Sequence, residues 1–188
     1  MKSIMKNFLI SFIMILSFPI KSFGLIEVDI TRGNLNPLPV AVSPLSIDEK
    51  SRKSFEDLLT KKNIGEEISF VVENNLRTSG LFNPLSKDAF LQAPDIANLK
   101  PRFEDWNLIK AQALITGKVT NIEDKLRVEF RLWDVLAGKE MMALAFTTVP
   151  TNWRRVGHII SDKVYERLTG EKGYFDTRII YVSEEGPK

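Results

Sequence analysis

One histidine and no cysteine narrow the chemistry open to this chain of 188 residues. Without cysteine there is no disulfide framework, no thiolate metal site and no cysteine nucleophile. His158 alone cannot supply a two- or three-histidine metal site, and a nucleophilic serine would have only His158 as a histidine base. His158 stands beside Ile159 and Ile160 inside a helical pattern, which reads as the edge of a core. Asp134 follows Leu132-Trp133 at an expected strand end. Two roles are open to it, a general base or a side chain capping the N–H groups of a turn, and the second is the commoner. Glu66-Glu67 and Glu184-Glu185 are sequence neighbours, so neither pair converges on a common point. Arg154-Arg155 is a two-residue basic patch, expected to be solvated or ion-paired. The phosphate-loop, dinucleotide, zinc-protease and nucleophile-elbow motifs are all missing from the sequence. These residues point to a binding or assembly module with no catalytic residue, metal or cofactor.

The elements that must carry those residues follow from composition and pattern. Hydrophobic residues make up 44% and charged ones 27%, a globular composition, and the length is enough for one domain with a real core. Met1 to Gly24 has a basic start (Lys2, Lys6), then an apolar run from Phe8 to Ile20, then Ser22 and Gly24 as small residues before a cleavage point. That order is a secretory signal peptide. The run is shorter than the ~20 apolar residues a membrane span needs, so no membrane insertion is expected after cleavage. Cleavage would remove Lys2, Lys6 and Lys21 and no acid. Of the 26 basic residues 23 would remain, against 24 acidic ones. Neither nucleic acid nor an anionic membrane is therefore an expected partner.

Residues 25–36 hold the alternating run Leu25, Ile26, Glu27, Val28, Asp29, Ile30, Thr31, closed by Arg32, Gly33 and Asn34. Period-2 alternation is the mark of a strand with one buried face. At the free end of an exported chain such a strand can pair with its own sheet or add to another protein's edge. Both readings stand on the residues alone.

Further along, Val40-Ala41-Val42 reads as a buried strand and residues 46–63 as a loop or weak helix. Ile64, Ile68, Val71, Val72 and Leu76 form one helical stripe, with Glu66-Glu67 in the first turn where the helix dipole favours anions. Gly80 stands where a left-handed cap belongs. A short strand follows at 81–85, then a connector over 86–110 with one helical turn near Phe103, Trp106 and Ile109. Strands are expected at 113–122, 126–132 and 141–149, joined by turns at Glu123-Asp124-Lys125 and Ala137-Gly138-Lys139. A last helix runs from about Asn152 to Leu168, capped by Thr151 or Asn152 and ended by Gly170. Trp106, Trp133 and Trp153 are expected in the core. Thr177 to Val182 reads as one more strand. The order implies an α/β fold, a mixed sheet of about five strands with two main helices packed on it.

The C-terminal half carries a resemblance. Arg131-Leu132-Trp133-Asp134-Val135, Asn152-Trp153-Arg154-Arg155-Val156-Gly157-His158, the long run Val164 to Gly173 and Phe175 to Val182 resemble the amino-terminal domain of the TolB family. Those proteins are periplasmic components of the Tol-Pal envelope system, and the likeness is to the α-proteobacterial branch. Asn75 to Phe82 matches the end of the family's first helix. The resemblance implies an α/β domain over 37–172, with a linker and the start of a β-propeller strand over 173–188. The propeller itself is expected to be missing here. It implies a periplasmic adaptor that engages the C-terminal domain of TolA through Leu25 to Arg32, and Pal only through the propeller. A rival from another class is an exported enzyme whose active site needs a further C-terminal domain. A small ligand-binding module is a third reading.

Overall fold

The computed structural model describes residues 36–58 and 63–177. The leader at 1–24, the segment Leu25 to Arg32 and the strand expected at Thr177–Val182 (Thr177 excepted) lie outside the described residues.

In chain order the elements are β1 (Leu38–Val42), β2 (Ser46–Ile47), α1 (Glu49–Leu58), α2 (Ile64–Thr78), β3 (Phe82–Pro84), α3 (Pro94–Leu99), α4 (Phe103–Leu108), β4 (Ala113–Ile122), β5 (Lys125–Asp134), β6 (Lys139–Thr148) and α5 (Trp153–Thr169). The strands make one mixed sheet in the order β3-β1-β4-β5-β6, with β2 also paired to β4. β1 runs parallel to β3 and β4, and β4, β5 and β6 form an antiparallel meander. The fold is thus the expected α/β class, with a sixth, two-residue strand.

β1 and β2 are two pieces of one line along β4, interrupted at Ser43-Pro44-Leu45. The break leaves backbone polar groups to be satisfied. Buried Ser69 of α2 meets them: its Oγ accepts from Leu45 N at 3.0 Å, and its one hydroxyl hydrogen lies within reach of Ser43 O at 3.1 Å and Gly65 O at 2.9 Å.

α2 forms because its apolar positions recur on one stripe, and all five stripe residues are buried. Asn63 caps it, its Oδ1 accepting from Gly65 N at 3.2 Å. Gly80 beyond its end holds φ +76. α5 buries Val156, Ile160, Val164 and Leu168 and ends at Gly170, also at φ +76. Both helices pack with the inward residues of β5, namely Leu126, Val128, Phe130 and Leu132, in the larger core cluster. A smaller cluster holds Ala41, Ala97, Trp106, Ala111, Leu114 and Val135.

The structure corrects several boundaries. Residues 46–63 hold both β2 and α1, and the connector at 86–110 holds α3 as well as α4. α3 carries Pro94 at its first turn, where a missing N–H costs nothing. β6 begins at Lys139, two residues before the expected start. A 3-10 turn at Pro150–Asn152 leads into α5, so Asn152 makes no side-chain cap and its amide donates to Thr148 Oγ1 at 3.2 Å. Trp106 is fully buried, whereas Trp133 and Trp153 are half-buried against the two clusters.

Candidate functional site

Each side chain singled out for chemistry within the described residues has a place, and Glu184-Glu185 lie outside them. Asp134 ends β5, is 1% exposed, and its Oδ1 accepts from Ala137 N at 2.8 Å. It is the turn cap between β5 and β6, and its burial closes it to substrate. His158 stands on α5 facing α2. Asn75 Nδ2 lies 2.9 Å from His158 Nδ1 and donates to Ser161 Oγ at 3.0 Å. The three side chains form a polar joint between the two main helices, with no nucleophile waiting on the histidine.

Glu66 and Glu67 lie in the first turn of α2. Asn63 Nδ2 donates to Glu66 Oε1 at 2.8 Å, a side-chain contact that steadies the capping asparagine. Arg154 lies over the ring of Trp153 at 4.5 Å. Arg155 grips the Asp176 carboxylate, with Nε 3.1 Å from Oδ1 and Nη2 3.1 Å from Oδ2. That hydrogen-bonded carboxylate raises the arginine above its ordinary pKa. The basic patch is therefore engaged on its own surface.

Other polar residues with a structural role carried little signal. Asp162 receives the backbone N–H groups of Phe175 and Asp176. Gln92 is buried, and its Oε1 accepts from Trp106 Nε1 and from Arg102 N, both at 2.8 Å. Asp48 begins α1 by accepting from Ser51 N at 2.9 Å. Asn75 alone was open to detection, because a polar residue three positions after Val72 interrupts an apolar stripe. Tyr165 sits with Phe82, Tyr174 and Phe175, and burial pushes its hydroxyl pKa up.

Among the described residues no group of three or more His, Asp or Glu could hold a metal ion, and no helix is long and apolar enough to cross a membrane. The expected partner-binding run, Leu25 to Arg32, lies outside the described residues. What the described chain does present is a sheet with α2 and α5 packed on one face and α3 and α4 on the other, and a ten-residue edge strand, β6, that among the described residues pairs only with β5.

These features define an α/β module whose singled-out polar side chains serve its own caps, turns and joints. The chain belongs to the family of TolB amino-terminal domains, whose model matches residues 26–141. It is 81% identical over 177 residues to the Tol-Pal system protein TolB of Pelagibacter ubique strain HTCC1062. That match covers 94% of this chain and 40% of the relative, so the chain spans well under half the length of the curated protein it matches. The crystal structure of TolB from Acinetobacter baumannii shares the fold. The TM-score is 0.58 at 22% identity, covering 81% of this chain and 33% of that one.

Proposed function

We propose that this chain is a non-catalytic periplasmic adaptor of the Tol-Pal envelope system. In this reading it binds the C-terminal domain of TolA through Leu25 to Arg32. By that contact it supports outer-membrane integrity and constriction at cell division. The observation that carries the reading is the 81% identity to a Tol-Pal system protein over nearly the whole chain. Contact with Pal belongs to the propeller of longer family members and is not assigned to these residues.

The physics is an exchange of edges. Ile26, Val28 and Ile30 alternate with Glu27 and Asp29, so the segment can present one apolar face and a row of backbone donors and acceptors. Backbone hydrogen bonds made with one edge replace those made with another, each worth about 1 kcal/mol net. A near-balanced pair of states shifts with a few kcal/mol of differential binding. The non-catalytic reading is supported by Asp134 and His158, the two best candidates for acid-base work, which are both committed to structural hydrogen bonds.

The test is an NMR titration of the chain from residue 25 and of the chain from residue 34 with the TolA C-terminal domain of the same organism. Only the longer chain is expected to bind, with shifts concentrated in Leu25 to Arg32. Equal binding by both would move the site onto the folded domain, and binding by neither would remove TolA as partner of this chain.

A further inference from the structure

β6 is paired with β5 along one side, and among the described residues nothing pairs with its other side. An open edge invites pairing, and proteins commonly guard it with lysine, proline, inward charge or a bulge. Here the guard covers only the beginning. Met141 has no partner in the β5 register, and Arg167 Nε approaches its carbonyl at 3.4 Å. From Met142 to Thr148 the sequence is Met-Ala-Leu-Ala-Phe-Thr-Thr, with no charge and no proline.

The two faces beside that edge differ. Met142, Leu144 and Phe146 share the apolar face with Leu132, Phe130 and Val128, and Leu144 is still 38% exposed. A groove of about 340 Å³ runs there between β6 and α5, lined by Phe146, Val156 and Ile159, with Arg155 at its rim and no carboxylate. On the opposite face Ala143, Ala145 and Thr147 stand opposite Arg131, Glu129 and Arg127. A shallower hollow of about 200 Å³ opens over them. Ala143 is short enough for a side chain of an added strand to reach Arg131 behind it, while Glu129 stands behind Ala145 and Arg127 behind Thr147. By register Lys118, Arg127 and Arg131 lie on that face with Glu129 and Glu140, three cations to two carboxylates.

We propose that the open edge of β6, Met142 to Thr148, is a strand-docking site for a partner protein's extended segment in which apolar and acidic residues alternate. Alternate side chains of an added strand point to opposite faces. The apolar ones enter the groove against Phe146, Val156 and Ile159. The acidic ones pass over Ala143 to Arg131 and beside Thr147 to Arg127, exchanging with the half-exposed Glu129 and the exposed Glu140 that these arginines hold. Main-chain pairing supplies affinity and the side chains supply selectivity. The proposal does not depend on TolA or on Leu25 to Arg32.

The experiment titrates the full chain, labelled with ¹⁵N, with an eight-residue synthetic peptide of alternating valine and glutamate. A second peptide carries lysine for glutamate. Expected are shifts centred on Met142 to Thr148, and binding at least tenfold weaker for the lysine peptide. Arg127→Gln with Arg131→Gln, and separately Ala145→Glu, should each weaken the glutamate peptide at least fivefold at an unchanged melting temperature. Equal binding of the two peptides, or shifts away from β6, overturns the proposal. Amides of Met142 to Thr148 all protected from exchange before any peptide is added would also overturn it. That protection would mean another part of this chain, or a second copy if it grows with concentration, already holds the edge.

Discussion

Asp162 on α5 accepts the main-chain N–H of Phe175 at 2.6 Å through Oδ1, and that of Asp176 at 3.1 Å through Oδ2. One carboxylate thus turns residues 173–176 back onto the helix that precedes them. Arg155 then holds Asp176, and the rings of Tyr174 and Phe175 close on Tyr165. Gly173 makes the approach possible, because a Cβ there would fall 2.4 Å from Asp162 Cα.

Removing that carboxylate should free the segment without unfolding the domain. Hydrogen bonds to a charged acceptor contribute about 1.5–3 kcal/mol each. Asp162→Ala is expected to speed exchange of the Phe175 amide at least tenfold, while core amides of β4 and β5 keep their protection. Asp162→Asn, which retains an acceptor oxygen, should give an intermediate rate. Hydrogen exchange followed by NMR decides it, and an unchanged Phe175 rate would remove Asp162 as the anchor.

The packing of α2 against α5 turns on one missing methyl. A Cβ on Gly157 would lie 2.8 Å from Val71 Cγ1 and 2.9 Å from Val71 Cβ. Alanine favours a helix over glycine by about 1 kcal/mol, yet overpacking a tight contact costs about 1–3 kcal/mol. Gly157→Ala is expected to destabilise on balance. Combined with Val71→Ala, it should show a coupling of about 1 kcal/mol or more in a double-mutant cycle by urea unfolding. A stabilising Gly157→Ala would mean the helices part freely at this point.

Periodicity carried most of the fold into view. The stripes of α2 and α5 and the alternation of β5 each bury one face, and a buried face leaves its period in the sequence. Where burial is two-sided or an element is short, the pattern fades. β2 has two residues and α3 six, too few to show a period. β4 reads as plain apolar at Ala113-Leu114-Ile115 because both faces are covered, by one cluster and the other. The side-chain joints were less legible. Ser69 and Asp162 act on backbone groups 24 and 13 residues away, and nothing local marks a serine or aspartate for such a task. Asp134 was legible because its partner lies three residues on. Leu25 to Arg32 reads as an alternating segment in the sequence but lies outside the described residues, and its role as a partner-binding run is the proposal above.

The hairpin between β4 and β5 turns on two residues that dislike their conformation. Glu123 and Asp124 hold φ of 51 and 60, the left-handed pair that a two-residue turn of this hand requires and that Asn-Gly adopts best. Replacing Glu123→Asn with Asp124→Gly is expected to stabilise the protein by about 0.5–1 kcal/mol and to raise the melting temperature by a few degrees. Calorimetry would show it. A lower melting temperature would mean that Glu123 or Asp124 contributes a contact stronger than the relief of strain.

α1 begins on a carboxylate, and that gives the fold a defined acid limb. Asp48 Oδ1 accepts from Ser51 N at 2.9 Å, its Oδ2 accepts from Ser51 Oγ at 3.0 Å, and Ser51 Oγ in turn accepts from Asn121 N of β4 at 2.8 Å. The Ser51 N–H bond above all holds Asp48 below the ordinary value of 3.8. The Ser51 hydroxyl and Lys118 act in the same direction, and burial opposes them. A carboxyl held lower in the folded chain than in the unfolded one stabilises the fold above the unfolded value. That contribution fades as the pH drops through the folded one. Asp48→Ala is expected to cost about 1 kcal/mol at neutral pH through loss of the cap. Asp48→Asn keeps an acceptor for the Ser51 N–H and isolates the charge. Its deficit against the native chain should be present at pH 7 and shrink steadily once the pH is taken below 3.8. Urea unfolding of the native chain and both variants between pH 7 and pH 3 measures this. A deficit of Asp48→Asn that stays constant across that range would mean the carboxylate works only as a neutral acceptor.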